Sequence, residues 1–402
     1  MKIVHLTEYF QPKIGYQEYY LALEQQKLGH EVTVVTSDRY FPFHDFHKIY
    51  KGILKERIIN PGKFIEENVS VIRLPVLFEF GHGSAIYLKN LFSTVKNISP
   101  DIIEVDGVFS ILSWQISTIA ETLGIPLVYD SHASTFNTKL NDTFIKKIYY
   151  YFFKLFAIPH IKRCAKYYLA VGESEKYLLQ REYSLKDSEI TIIPLGADTS
   201  KFKFNEKHRN DLRKQLRIPN NTVVFIYAGK ITPNKDIHIL LDAFNRVSRN
   251  IPNVKMLLIG DGNPTYINTL EDKIKEYNLE TSIIFHPFVK HKDLAQYFSA
   301  ADIGIWPGNL SNTILEALSC SLPIIVPKVI SEAQTSDHLV SYKNGFQFKR
   351  GSRSSLADAI EKFKNKTIRK QMGEASKRLV MDFFDWEAIA EKHLRIYNQI
   401  LQ

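Results

Sequence analysis

Cysteine is nearly missing: Cys164 and Cys320 are the only two in 402 residues. Two thiols so far apart exclude a disulfide scaffold and a four-cysteine zinc site, and they fit a reducing compartment. Glycine (18) and proline (16) are sparse, which excludes collagen-like and low-complexity chains. No stretch of about 18 uncharged apolar residues occurs, so no membrane-spanning helix is expected. The opening MKIVHLTEYFQP lacks a basic region followed by a long apolar run. It reads as a buried strand rather than a leader, and the protein is expected to stay in the cytoplasm. The spacings HExxH, GxSxG, GxxxxGK(S/T) and CxxC are absent, which leaves metalloprotease, hydrolase-elbow, P-loop and thioredoxin readings without support.

What remains is an ordinary globular composition, 45% hydrophobic and 24% charged, long enough for two or three domains. The net charge of +9 favours an anionic partner: nucleic acid, an anionic membrane surface or a phosphorylated substrate. No nucleic-acid-binding signature is present and the charge is spread along the chain, so nucleic acid is not expected.

Short apolar runs alternate with helical patterns. Strands are expected at Lys2–Leu6, Glu31–Thr36, Asp101–Val105, Pro126–Asp130, Tyr167–Val171 and Ile190–Ile193, with a helix over Tyr16–Leu28. The pattern restarts with strands at Thr222–Ala228, Val254–Gly260, Ser282–Phe285, Ala301–Trp306 and Pro323–Val326. Helices are expected between them at Asp236–Asn250, Ile267–Tyr277, Lys292–Ala300 and Asn312–Cys320. Strand–helix alternation at this spacing means α/β domains with parallel sheets and right-handed crossovers. Polar, basic Ser200–Asn221 reads as the linker, giving domains over 1–199 and 200–384. Asp385–Leu401 carries apolar residues at helical spacing and should be an amphipathic helix. Two doubly wound domains would turn the carboxyl ends of their strands toward a central cleft, where open sheets bind ligands.

Five places carry candidate chemistry. The loop Glu8–Tyr16, with Gly15, feeds a helix whose N-terminus can hold a phosphate, or it is an ordinary turn. In Tyr227–Lys235, Gly229 is followed by Lys230 and Lys235, two ammonium groups able to clamp a diphosphate, or merely solvated lysines. In Trp306–Pro323, the turn ahead of Asn312 and Thr313 offers free N–H groups, and Glu316 can accept from sugar or ribose hydroxyls or simply favour the helix start. His132 follows a strand end and titrates near neutrality, so it can orient a polar substrate group or be structural. Glu104 and Asp106 also lie at a strand end, where they can bind hydroxyls or stay solvated.

Taken together, these motifs resemble the GT4-type retaining glycosyltransferases of the GT-B fold over nearly the whole chain. The resemblance rests on Leu23–Val32 (LEQQKLGHEV), Ile193–Asp198 (IPLGAD) with Phe202, Gly229-Lys230 with Lys235, Leu258–Gly262 (LIGDG), and Ala301-Asp302 followed by Glu316-Ala317. It implies two Rossmann-like domains and a metal-independent hexosyltransferase without a cofactor. The second domain would bind a nucleotide-sugar, most simply a UDP-sugar, and the first would bind the acceptor. Lys230 and Lys235 would then neutralise the diphosphate, Glu316 would hold the ribose, the Leu310–Thr313 backbone (Leu310, Ser311, Asn312, Thr313) would meet the phosphates, and Asn309 or Ser311 would replace the sugar contact that Gly308 lacks. Gly15 would approach them from the first domain, and His132 would stand near the transferred sugar. Tyr16, Glu104 and Asp106 would lie on the acceptor side, and the last helix would cross back onto the first domain.

The chain departs from the family pattern at four points. Gly308 stands where a glutamate is usual eight positions before Glu316, Tyr16 replaces a second glycine, Lys230 replaces an arginine, and Ser321 replaces a glycine. A non-catalytic relative that binds nucleotide or scaffolds a partner is the alternative from another class. A sugar-nucleotide epimerase is the nearest alternative enzyme.

Thr143–Tyr168 holds six Lys/Arg and nine aromatics and no acid. That density resembles an interfacial helix on anionic lipid, which would suit a lipid-linked acceptor in surface polysaccharide or glycolipid assembly. The alternative is a core helix with a basic rim. Tyr40–Lys63, also aromatic and basic, reads as an insertion that contacts the acceptor.

Overall fold

The computed structural model describes residues 1–43, 46, 50–80, 85–134, 144–331 and 334–402. His44, Asp45, His47, Lys48 and Ile49 of the Tyr40–Lys63 segment, and Thr143 at the start of the basic aromatic stretch, lie outside them. The described residues group into two compact units, Met1–Leu195 with Ile389–Gln402, and Gly196–Ala388.

The strands of the first unit are Lys2–Leu6 (β1), Glu31–Ser37 (β2), Gly62–Glu66 (β3), Val69–Leu74 (β4), Val76–Phe80 (β5), Ala85–Leu88 (β6), Ile102–Asp106 (β7), Leu127–Ser131 (β8), Ala165–Ala170 (β9) and Ile190–Ile192 (β10). Eight form one sheet in the order β10-β9-β8-β7-β1-β2-β4-β3. Every neighbour in it is parallel except β3, which runs antiparallel on the edge beside β4. β5 and β6 pair separately. The central strands are continuous apolar runs because helices cover both faces of a parallel sheet. Ile3, Val4, Leu6, Ile103 and Leu127 are fully buried there. Helices Ile111–Leu123 and Ile158–Cys164 pack on this sheet through Ile116 and Ile161.

Each strand expected in this unit is present within a residue or two. The stretch 62–123 carries four strands and two helices that the sequence pattern left unassigned. Among the described residues of Tyr40–Lys63, Ile58 bridges to Arg39, and Arg39 and Arg57 both pair with Glu79 of β5. That part is therefore tied into the unit.

The second unit contributes Val223–Ala228 (β11), Val254–Ile259 (β12), Ile283–His286 (β13), Ile303–Ile305 (β14), Ile324–Pro327 (β15), Val329–Ser331 (β16), Gln334–Thr335 (β17) and Gly345–Phe348 (β18). Six of them make a parallel sheet in the order β13-β12-β11-β14-β15-β18, and the order reverses between β11 and β14. Both units are thus doubly wound, Rossmann-like sheets. The helix expected from Ile267 begins at Pro264, because Asn263 caps it by accepting from the Thr265 N–H at 2.9 Å.

The polar segment Ser200–Asn221 is not a bare linker. It folds into helix Glu206–Gln215, whose Arg209 and Arg213 each reach Asp302 at 2.7 Å. Asp302 also accepts from the Val224 N–H at 2.8 Å, so the Ala301-Asp302 motif locks this helix to the sheet.

The Ile193–Asp198 motif has a similar explanation. A Cβ on Gly196 would fall 2.5 Å from the Trp386 ring, and the Ala197 N–H donates to Phe384 O at 2.7 Å. The outgoing and returning chain are therefore clamped side by side. Helix Trp386–Leu401 follows, and its residues from Ile389 onward belong to the first unit.

Candidate active site

In the second unit the carboxyl ends of β11 and β14 lie at the reversal of strand order, where parallel sheets take ligands. The loop after β11 runs through Gly229 and Lys230 to the short helical turn Pro233–Lys235. Its path depends on bare glycines across from it. A Cβ on Gly260 would fall 1.9 Å from Gly229 O, and one on Gly262 the same distance from Ile231 O. This is the physical content of the Leu258–Gly262 motif.

The loop after β14 is laid directly on that turn. The Asn309 N–H donates to Asn234 O at 3.0 Å. Lys235 Nζ donates to Asn309 O (2.8 Å), Leu310 O (2.7 Å) and Ser311 Oγ (3.1 Å). Those contacts use all three ammonium donors. Lys235, expected to clamp a diphosphate, thus first holds the 309–311 loop. Burial, then the charges of Lys230 and Arg350, push its pKa down to about 8. Lys230 is exposed, and its ammonium makes no hydrogen bond among the described residues.

The N–H groups of Leu310, Ser311 and Asn312 likewise meet no protein acceptor among the described residues. The Thr313 hydroxyl is already committed. Together with the Trp306 indole N–H it donates to Ala228 O, at 2.7 and 3.0 Å.

Glu316 lies on helix Thr313–Ser319 and is buried. Its Oε1 is 2.5 Å from His291 Nε2, while its Oε2 is buried with no hydrogen-bond partner among the described residues. Burial alone would lower the His291 pKa, but the bond and charge of Glu316 outweigh it and raise the pKa above its ordinary value.

Sequence reasoning missed two residues of this site, His291 and Arg350. Arg350 braces the lysine turn, with Nε on Asp236 (3.0 Å) and Nη2 on Asn234 O (3.3 Å). Neither sits in a motif, and only the fold brings them in.

In the first unit, Gly15 takes a left-handed conformation (φ +81°) just before helix Gln17–Lys27, and half-exposed Tyr16 precedes the helix. His132 follows β8, and its Nε2 lies 3.5 Å from Asp130 and 3.7 Å from Asp106. Burial would lower its pKa. The Asp130 hydrogen bond and the charges of Asp130, Asp106 and Glu18 reverse this and carry it to about 10. His132 was expected to titrate near neutrality. Its neighbours shift it upward instead, the Asp130 hydrogen bond first.

Burial, then Asp106, raises Glu18 to about 8, and burial first of all raises Asp106 too. Thr7 donates to Asp106 at 3.1 Å, and the Gln17 amide donates to Asp130, leaving Gln17 Oε1 buried and unpartnered among the described residues. These groups line one small pocket at the carboxyl edge of the sheet.

Glu104, expected on the acceptor side, also lines this pocket but is already paired within the protein. It is buried beneath the last helix, bonded to His393 Nδ1 (2.9 Å) and the Tyr397 hydroxyl, with His5 Nδ1 at 3.9 Å. Despite the cost of burial, those partners hold its pKa at about 2.

Residues 208–379 match the family described as "Glycosyl transferases group 1", and residues 17–201 match "Glycosyltransferase Family 4". The chain is 25% identical to the capsular polysaccharide biosynthesis glycosyltransferase CapM of Staphylococcus aureus, over 60% of this chain and 63% of that one. It is 24% identical to the putative teichuronic acid biosynthesis glycosyltransferase TuaC of Bacillus subtilis (strain 168), over 92% of this chain and 90% of that one. With several curated relatives the match spans only 42 to 63% of their own length. Anabaena Alr3699/HepE, solved in complex with UDP, superposes with a TM-score of 0.72 at 19% identity, covering 99% of this chain and all of the other.

Proposed function

From the premise that the chain belongs to the group 1 and family 4 glycosyltransferases of the GT-B fold, we propose that it moves a sugar from a UDP-sugar to a hydroxyl of a glycan or lipid-linked acceptor, with retention at the anomeric carbon. The observation that carries this reading is the buried, unpartnered Oε2 of Glu316. An orphaned buried carboxylate oxygen is costly unless something fills its place. Ribose hydroxyls supply the donors it lacks.

The second unit then holds the donor. The diphosphate lies on the unused N–H groups of Leu310, Ser311 and Asn312, with Gly229 leaving room beside them. Lys230 meets it directly. Lys235 contributes charge and fixes the loop. Together the two lysines supply the positive charge for the leaving group, so no metal or cofactor is assigned to the reaction. Gly308 offers no side chain to the sugar, and Asn309 and Ser311 are the nearest polar groups that can take over that contact.

The first unit holds the acceptor at the carboxyl edge of its sheet, where Asp106, Glu18 and His132 line the small pocket and Tyr16 precedes the helix that carries Glu18. In the transfer, the bond between the anomeric carbon and the phosphate oxygen breaks. The acceptor oxygen bonds to the same face of that carbon, and its proton passes to the departing phosphate oxygen. Relatives named for capsular and teichuronic polysaccharide synthesis, and a structural neighbour holding UDP, support an acceptor in surface polysaccharide or glycolipid assembly and a uridine donor. We place the enzyme on the cytoplasmic side of the membrane. Among the described residues no helix is long and apolar enough to cross it.

Calorimetric titration with UDP and GDP, with EDTA present, on the wild type and Glu316→Ala tests this. Micromolar binding of UDP that weakens at least tenfold in the variant is expected. Binding that ignores the substitution would remove Glu316 from the donor site. Binding of neither nucleotide would bring the scaffold reading forward.

A further inference from the structure

The segment Phe144–Cys164 is helical throughout: an α-helix Phe144–Phe152, a π-helical stretch Phe153–Ala157 and a second α-helix Ile158–Cys164. One side is a normal core face, with Tyr150, Phe153, Ala157, Ile158 and Ile161 all buried. The opposite side is apolar too. Phe144, Ile145, Ile148, Tyr151, Phe152, Leu155 and Phe156 are spaced i, i+1, i+4, i+7, i+8, i+11, i+12, a continuous stripe along the outer face. They are 45 to 79% exposed.

A core helix with a basic rim would show charge on that outer face. This one shows aromatic and aliphatic side chains, with exposed Lys147 beside them, Lys154 paired at 3.2 Å with Glu182 of a neighbouring helix, and no acid in the segment itself from 143 to 168. Scattered exposed apolar residues need no explanation, but a contiguous stripe does.

We propose that this outer stripe is the surface by which the protein lies on an anionic lipid bilayer. The charge of the segment selects that occupant: an apolar face flanked by Lys147, on a segment with six Lys/Arg and no acid of its own, complements acyl chains beneath anionic headgroups. An acid-bearing protein groove is a different partner, as is a second copy, which would bring the same lysines toward each other. The inner side of the same helix also bears on the proposed acceptor edge. The buried Tyr150 ring lies 6.4 Å from that of Phe109, in the loop that follows the carboxyl end of β7. A docked helix therefore brings the carboxyl edge of the first sheet close to the headgroups. The proposal stands on the surface itself and does not require the nucleotide site to be active.

The test is co-flotation of the full chain with phosphatidylcholine vesicles containing phosphatidylglycerol, and with phosphatidylcholine alone, at low and high salt. Flotation with the anionic vesicles is expected, weakened by salt and at least tenfold stronger than with neutral ones. Phe152→Ser with Phe156→Ser, and separately Ile145→Ser with Lys147→Glu, should each lower partitioning at least tenfold while the melting temperature stays within about 2 °C. The side chains are exposed, so the fold does not depend on them. Equal flotation on neutral vesicles, or variants that float like the wild type, would overturn the proposal. So would a wild-type dimer in analytical ultracentrifugation that the serine substitutions convert to monomer.

Discussion

Gly308 lies flush against the backbone of Lys235. A Cβ at position 308 would come within 2.5 Å of both the Lys235 carbonyl carbon and Asn234 O. The related family places a glutamate there. In this chain the bare glycine lets the two loops at the switch point close on each other. Overpacking against backbone costs about 1–3 kcal/mol even for one methyl. Gly308→Ala should therefore lower the thermal midpoint, and Gly308→Glu should also weaken UDP binding at least tenfold by prising the 309–311 loop away from Lys235. Melts and calorimetry on both variants check this. Normal UDP binding by Gly308→Glu would show that the contact is dispensable.

Glu316 keeps the His291 imidazole above its ordinary pKa by a direct bond. Glu316→Gln removes the charge and keeps the shape. The His291 pKa should fall, read by NMR of its ring protons in a titration from pH 5 to 9. Saturating UDP should leave His291 in place, because the proposed ribose contact belongs to the other carboxylate oxygen.

Lys235 has a depressed pKa, near 8. Above that pH it loses both a donor to the loop and a positive charge beside the phosphate site. Nucleotide affinity should fall as pH rises from 7 to 9.5, and the fall should be absent in Lys235→Met, which starts weak and stays flat. Parallel pH curves for wild type and variant would assign the titration elsewhere.

The Glu104–His393 pair should show in stability. Glu104 is depressed to about 2 from an ordinary 4.5, so its contribution is full above 4.5 and is lost as pH falls from there toward 2. His393 is raised above 6.5, so its contribution is full below 6.5 and is lost as pH climbs through the raised value. Stability from the pair is greatest between those limits. Removing one partner of a buried pair typically costs about 3–5 kcal/mol. His393→Ala should move the urea midpoint by that order at pH 5.5. A shift under about 1 kcal/mol would mean that Tyr397 and His5 hold Glu104 without it.

The strands that flank the sites were legible because parallel strands buried on both faces are unbroken apolar runs. β3 to β6 were not. β3 is an edge strand and largely exposed, so it carries no such signature. The segment 200–221 looked like a linker because its charges are visible in sequence, whereas their partner Asp302 lies about ninety residues away. The same limit governs the sites. Lys235, Glu316 and His132 announce themselves by following strand ends. His291 and Arg350 do so only once the loops are folded. The upward shift of His132 was not legible, because a single strand end does not reveal Asp106 of β7, Asp130 of β8 and Glu18 of the first helix converging on it.

The first unit takes its last element from the far end of the chain. Glu104 meets His393 across 289 positions of sequence. A ribosome adding about 5–20 residues per second needs roughly 15–60 s to cover that interval. Once β10 ends at Ile192, the nascent first sheet waits for the rest of that time for the helix that covers its buried carboxylate. A chain stopped anywhere before Ile389 therefore fails in the portion synthesised earliest, and a chaperone attending this protein has its longest task at the beginning of the message.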